Sequence, residues 1–232
     1  MYLLLSCPAY RLEWETYASI YDMWEEAQDL GHRVDLYFPN DNRIPQDRKG
    51  IQNHLAQYKL IRERFLSHDY QVWVNVESDV VVPTGGLTKL LDMLYGDLNA
   101  DVGYGMYVFR NWNKKGESAA GAVNLHYRYR ERPLESMNIG NPISADGMPS
   151  YQEWLEKGRI PVSGGALGIL AAKRPVLEKV DFRLLGGGHC DVYFMHDVWS
   201  AGFDQWGDTS IVCGHKHTDG TILFPPHCEP WL

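Results

Sequence analysis

Apolar and polar positions alternate between two periods along the first eighty residues. Tyr2 to Cys7 is an apolar run closed by Pro8, the pattern of a strand followed by a loop. From Trp14 to Leu30 apolar residues recur at Tyr17, Ile20, Tyr21, Trp24, Ala27 and Leu30. That spacing predicts a helix with this stripe against the core, and Gly31 stands where a helix stops. Arg33 to Phe38 alternates as a strand does and ends at Pro39. Asp47 to Ser67 predicts a second helix, with Ile51, Leu55, Tyr58, Ile61 (or Arg62) and Phe65 on one side. Val72 to Val76, VWVNV, is nearly all β-branched or aromatic, as in a strand covered on both faces. Strand, helix, strand, helix, strand in that order predicts an α/β fold with a mainly parallel sheet flanked by helices.

The remainder is less regular. Leu87 to Leu94 reads as a short helix and Asp101 to Phe109 as a strand. Residues Arg110 to Ile160 are rich in Asn, Gly, Arg, Tyr and Pro without a long periodic run, and predict an irregular lobe. Its aromatic residues, Trp112, Tyr127, Tyr129, Tyr151 and Trp154 among them, argue against a disordered segment. Val162 to Ala171 predicts a glycine-rich strand region, Asp191 to Gly202 a short amphipathic helix, and Ser210 to Cys213 a last strand.

Composition narrows the function classes. The chain has 232 residues, 44% hydrophobic and 22% charged, ordinary for a globular protein. Its net charge of −8 gives no general attraction to nucleic acid, so a polyanion would need a local basic patch. No apolar run approaches the ~18 residues of a spanning helix, and MYLLLSCPAY lacks the basic flank of a signal peptide. The four cysteines, Cys7, Cys190, Cys213 and Cys228, form no CxxC pair and are expected to be free thiols in a cytoplasmic setting.

Five stretches can carry chemistry. Glu77 and Asp79 sit one residue apart at the end of VWVNV, where open sheets bind ligands beyond their strands' carboxyl ends. In extended backbone they share a face and can hold one hard divalent cation, Mn²⁺ or Mg²⁺, completed by a substrate's phosphates; the alternative is a solvated strand end. Asp191 follows three glycines at the head of a helix, either as a charge favoured by the helix dipole or as a general base. In CGHKH, His215 and His217 alternate and could add a nitrogen ligand. SGGALGI, Ser163 to Ile169, has glycines that mark either a ligand or tight packing. In HYRYRERP, Arg128, Arg130 and Arg132 would share a face of an extended segment and could grip a phosphate-bearing acceptor, or lie on a solvated surface.

The order of these motifs resembles the GT-A class of nucleotide-sugar glycosyltransferases, of the family-two-like type, over Met1 to about Phe109 and Ile160 to about His217. The resemblance implies one GT-A (Rossmann-like) domain over 1–232. Residues 1–109 would be its nucleotide-binding half, 110–160 a variable acceptor-side insertion and 161–232 the acceptor and catalytic half. It implies metal binding by Asp79 with His215 or His217, and a place for Glu77 and Ser78 near the donor's ribose. Pro8, Tyr10, Asn40 and Asp41 would hold the nucleoside, and Gly164 and Gly165 would pass near donor and acceptor. Asp191 would be the base of an inverting transfer, with Asp197 as the other carboxylate in reach, because Cys190 stands where the class usually has an acid. Trp112, Arg128 and Arg130 would face the acceptor, which could be a glycan, a protein, a small molecule or a hydroxylated DNA base. Two other functions stay open. A nucleotidyltransferase would normally carry a glycine-rich phosphate loop after its first strand, and SCPAYRLEW has no glycine. A sugar-nucleotide-binding module would keep the pocket without turnover.

Overall fold

A computed structural model describes residues 1–8, 12–39, 50–112, 118–123, 125–127, 158–184, 189–217 and 219–224. The elements run β1 (Tyr2–Ser6), α1 (Trp14–Asp29), β2 (Arg33–Tyr37), α2 (Gly50–Leu66), β3 (Val72–Val76), β4 (Val80–Val81), α3 (Gly86–Tyr95) and β5 (Val102–Met106). They continue with β6 (Val108–Trp112), β7 (Ser118–Val123), β8 (Leu125–Tyr127), β9 (Arg159–Gly165), β10 (Ile169–Lys173), α4 (Arg174–Lys179), α5 (Cys190–Ser200), β11 (Gln205–Val212), β12 (Gly214–Lys216) and β13 (Ile222–Leu223).

Eight strands form the central sheet in the order β2-β1-β3-β10-β5-β11-β9-β8. β1 pairs in parallel with both β2 and β3, and β11 with β5, while β10 and β9 run against their neighbours. The sheet is therefore mixed and mainly parallel, as expected of a Rossmann-like, GT-A-like fold. The chain leaves β1 through α1 to β2 on one side and leaves β3 by way of α3 to β5 on the other, so the switch point, where sheets of this kind bind ligands, lies beyond the carboxyl ends of β1 and β3.

The unbroken apolar run of β3 has a direct cause. Trp73 enters one core with Tyr58, Ile61 and Phe65 of α2, while Val72, Val74 and Val76 enter a second core with Ile20 and Met23 of α1 and Leu90 and Leu94 of α3. Both faces of the strand are dry, so alternation disappears. The one polar residue of β3, Asn75, is fully buried.

Helix α1 presents a different face from the one expected. Thr16, Ser19, Ile20, Met23 and Ala27 are buried, whereas Trp14, Tyr17, Tyr21 and Leu30 are exposed. The two stripes overlap at Ile20 and Ala27, and small residues at 16 and 19 let α1 sit close to its neighbours. Its end is as read: Gly31 has φ 75°, and its N–H and that of His32 donate to Gln28 and Ala27.

The expected strand from Asp101 to Phe109 is broken at Tyr107, which is buried, and β6 leaves to pair with β7. The front of the lobe expected to be irregular is thus strand structure, with β8 paired to β9 at the sheet edge. Small residues in SAAGAV hid that hairpin from a reading based on apolar period. Val162 to Ala171 is likewise two strands, β9 and β10, that are not neighbours. Cys7, Cys190 and Cys213 are free and buried, and Cys228 lies outside the described residues. No helix among the described residues is long and apolar enough to cross a membrane.

Candidate functional site

The turn after β3 is pinned through its backbone, which leaves its side chains for the crevice. Glu77 N–H donates to Gly168 O at 2.8 Å in the turn before β10, and Glu13 N–H at the start of α1 reaches Ser78 O at 3.4 Å. Lys216 N–H of β12 donates to Asp79 O at 2.7 Å. β12 pairs with β4 so that His215 stands opposite Val80. Lys216 ties that strand to α1 by contacts to Glu13 at 3.1 Å and Glu15 at 2.6 Å. The C-terminal histidine is thereby delivered to the acid-x-acid turn across 136 positions of sequence, with His215 Nε2 lying 3.5 Å from Asp79 Oδ2.

His215 is oriented by its other nitrogen. Nδ1 lies 3.0 Å from the Val108 carbonyl, which can only accept, so Nδ1 carries a proton and Nε2 faces Asp79. Burial alone would lower this imidazole, but the Asp79 carboxylate outweighs it and the pKa stands above the usual value. Tyr107 packs edge-on to His215 at 5.2 Å, and the His217 ring lies 4.9 Å from it.

Glu77 is held differently. Its Oε1 accepts a 2.8 Å hydrogen bond from the Tyr58 hydroxyl of α2. Burial, then the charges of Asp79 and Asp191, push its carboxyl up to about 8. Asp191 occupies the first turn of α5, where Oδ1 accepts from the Val192 N–H at 2.8 Å. Its charge is felt by Glu77, Tyr107 and His54, so α5 aims it at the same crevice. Carboxylates from two distant segments thus act electrostatically on Glu77, and like charges of this kind raise its affinity for a proton.

Other expected residues take structural places. A Cβ on Gly164 would fall 1.7 Å from Met195 Cγ, so this glycine admits α5 against β9. Gly165 ends β9 and pairs with Leu125 of β8. Asp197 is gripped by Arg183 at 2.6 Å and 2.7 Å, which removes it as a second choice of base. Pro8 is buried just after β1. Tyr10, Asn40, Asp41, Arg128 and Arg130 lie outside the described residues, as does the side chain of Trp112 at the end of β6.

Two functional candidates are new. His54, one helical turn before Tyr58 on α2, packs edge-on to it at 6.1 Å. Burial lowers its pKa against the opposing charges of Asp79 and Asp191. Tyr58 is the other. A histidine one turn ahead of a stripe residue was the available signal.

Asp79 and His215 fit a cation bound jointly with a substrate. Asp79 keeps 45% of its side chain exposed against 12% for His215, so one ligand is open and the other preset. Among the described residues no three His, Cys, Asp or Glu side chains gather into a self-sufficient metal cage.

No protein-family model matches the chain, and no curated protein matches it. Among solved structures, A197 from STIV aligns over 100% of this chain and 98% of its own, with a TM-score of 0.55 and 14% identity. A glycosyltransferase involved in the glycosylation of the major capsid of PBCV-1 aligns over 76% of this chain and 61% of its own, with a TM-score of 0.38 and 12% identity. The first likeness is one of fold; the second is too distant to carry an argument.

Proposed function

We propose that this chain is a nucleotide-sugar glycosyltransferase that works with Mn²⁺ or Mg²⁺ and transfers a sugar to an acceptor hydroxyl with inversion. The observation that carries the reading is the convergence of Glu77, Asp79, Asp191 and His215 on one crevice at the switch point of a mixed, mainly parallel sheet.

Charge supports the cation. A diphosphate brought beside Asp79 and Asp191 would be repelled unless a divalent ion lay between. Asp79 and His215 are the residues to hold it, and it would supply neutralisation of the diphosphate and of the charge that grows on the leaving group. Glu77 is placed to accept hydrogen bonds from the donor's hydroxyls.

Asp191 serves as general base. Its Oδ1 is occupied by the Val192 N–H, which fixes the carboxylate and leaves Oδ2 for an acceptor. The acceptor's hydroxyl proton passes to Asp191 as its oxygen bonds to the anomeric carbon. The bond from that carbon to the diphosphate oxygen breaks, and the nucleoside diphosphate leaves with the electron pair. The acceptor lobe starts at the same place, since the Val108 carbonyl that orients His215 opens β6.

The test is a panel of nucleotide sugars with Mn²⁺ or Mg²⁺ and mixed acceptors, read as nucleoside diphosphate released. Activity that needs the ion, is abolished by Asp79→Ala, and is lost with donor binding intact in Asp191→Asn supports the reading. A protein that binds no nucleotide sugar, with or without either ion, overturns it.

A further inference from the structure

The core beneath the site contains a line of polar groups that the proposed chemistry does not use. Trp73 Nε1–H donates to Ser6 Oγ at 2.8 Å, and Ser6 Oγ lies 3.2 Å from Asn75 Oδ1. Asn75 Nδ2 donates to Leu167 O at 2.6 Å and to Tyr58 Oη at 3.3 Å, and Tyr58 donates to Glu77 Oε1 at 2.8 Å. Trp73, Ser6, Asn75 and Tyr58 are all at most 1% exposed.

The direction of this line is determined by its members. An indole N–H can only donate, so Ser6 Oγ accepts from Trp73 and offers its own hydrogen to Asn75 Oδ1 at 3.2 Å, with the Val74 carbonyl at 3.4 Å as the longer alternative. The Leu167 carbonyl can only accept, so the amide nitrogen of Asn75 points to it and the amide oxygen to Ser6. Tyr58 then receives from Asn75 and has its own hydrogen left for Glu77. Every group hands a hydrogen toward the crevice, and Glu77 is its last acceptor. Buried chains of this kind hold one arrangement, because any other leaves a polar group unpaired in the core. Among the described residues Glu77 Oε2 has no hydrogen bond, so one carboxylate oxygen is anchored and the other is presented.

We propose that Tyr58 is a positioning residue. It locks Glu77 before any ligand arrives, with Oε1 spent on the core and Oε2 offered to the donor's hydroxyls. What Glu77 binds rests on the glycosyltransferase reading, whereas how Glu77 is held does not.

The experiment compares Tyr58→Phe with Tyr104→Phe. Tyr104 is an equally buried tyrosine whose hydroxyl donates to Gln205 Oε1 at 2.7 Å, away from the carboxylate cluster. Both variants lose a buried hydroxyl, so a merely structural role predicts the same outcome for both. Ligand-free crystal structures are the first readout. In Tyr58→Phe, Glu77 should leave its place or split into several conformers, while in Tyr104→Phe it should stay.

UDP-glucose, GDP-mannose and dTDP-glucose with Mn²⁺ are the binding probes. For whichever donor the wild type binds, Tyr58→Phe should raise Kd and KM by about tenfold with a smaller change in kcat, and Tyr104→Phe should leave them unchanged. The pair Tyr58→Phe/Glu77→Gln should bind no worse than Glu77→Gln alone, since both act through one carboxylate. Ser6→Ala, which cuts the line farther back and keeps Tyr58, should act in the same direction more weakly and serves if Tyr58→Phe does not fold. A single unmoved Glu77 in Tyr58→Phe (or in Ser6→Ala, should it stand in) overturns the proposal, as do equal losses in the two tyrosine variants. If the wild type binds no donor, the glycosyltransferase reading falls, and the position of Glu77 alone decides this one.

Discussion

Two acids, one buried and one at the rim of the core, are treated in opposite ways. Asp208, in β11 with 3% of its side chain exposed, is surrounded by donors. Arg159 Nε lies at 3.0 Å, Ser210 N–H at 2.8 Å and Ser210 Oγ at 2.6 Å, and Arg159 also meets Asp92 at 2.7 Å. Glu77 has one phenol, and its other close charges include Asp79 and Asp191. The first carboxylate is neutralised by the protein itself. The second is left in an environment that resists its charge, as candidate functional sites do. The difference separates an acid that holds the molecule together from one that we propose is completed by a ligand.

The comparison breaks most sharply at the proposed base. Asp191→Asn should cut kcat by about 10²- to 10⁴-fold and leave donor Kd within about twofold, measured by steady-state turnover and titration calorimetry. Arg159→Ala should cost about 3 kcal/mol of stability in urea melts by stranding Asp208, without touching donor affinity. Glu77→Gln should do the reverse, abolishing tight donor binding while stabilising the protein by about 1 kcal/mol at pH 8.

That gain has a defined pH window. The folded pKa of Glu77 is raised from 4.5 to about 8, so the folded state favours the protonated form. Its contribution is intact below pH 4.5 and declines as pH rises toward about 8. Glu77→Gln should therefore flatten the fall in stability across that interval and match wild type below it. His215 has the same sign, because its raised pKa gives a contribution present below pH 6.5 and lost above. The smallest effect concerns the ion. With a nucleoside diphosphate present, Mn²⁺ should raise the melting temperature more at pH 8 than at pH 5.5, by roughly 3 °C for each kcal/mol of added binding, as protons leave Glu77 and His215. Equal shifts at the two pH values, or none in wild type, would remove the cation from Asp79 and His215.

Much of this was legible in the chain. The alternation of elements, the run of VWVNV into ESD and the glycine-led helix carrying Asp191 are local patterns, and each element stands close to where its periodicity places it. Helix α1 shows where local pattern fails. Two stripes shared Ile20 and Ala27, and only packing against α3 and β4 selected the one bearing Thr16, Ser19 and Met23. His54 and Tyr58 were hard to read as site residues because their partners come from β3, the turn after it and α5. SGGALGI was ambiguous for the same reason: the occupant against Gly164 is Met195, thirty-one residues onward.

The sequence by itself determined the strand-helix-strand-helix-strand order of the first eighty residues, and that two acids close a strand buried on both faces. Those properties follow from side-chain period and from the cost of wetting apolar surface. Only the tertiary structure decided what the acids face. The pairing of β12 with β4 brings His215 to Asp79, α5 brings Asp191 to Glu77, and a line of hydrogen bonds from Trp73 to Tyr58 holds Glu77 in place. Each joins residues far apart in the chain, and electrostatic and hydrogen-bond energies depend on distances that no local pattern encodes.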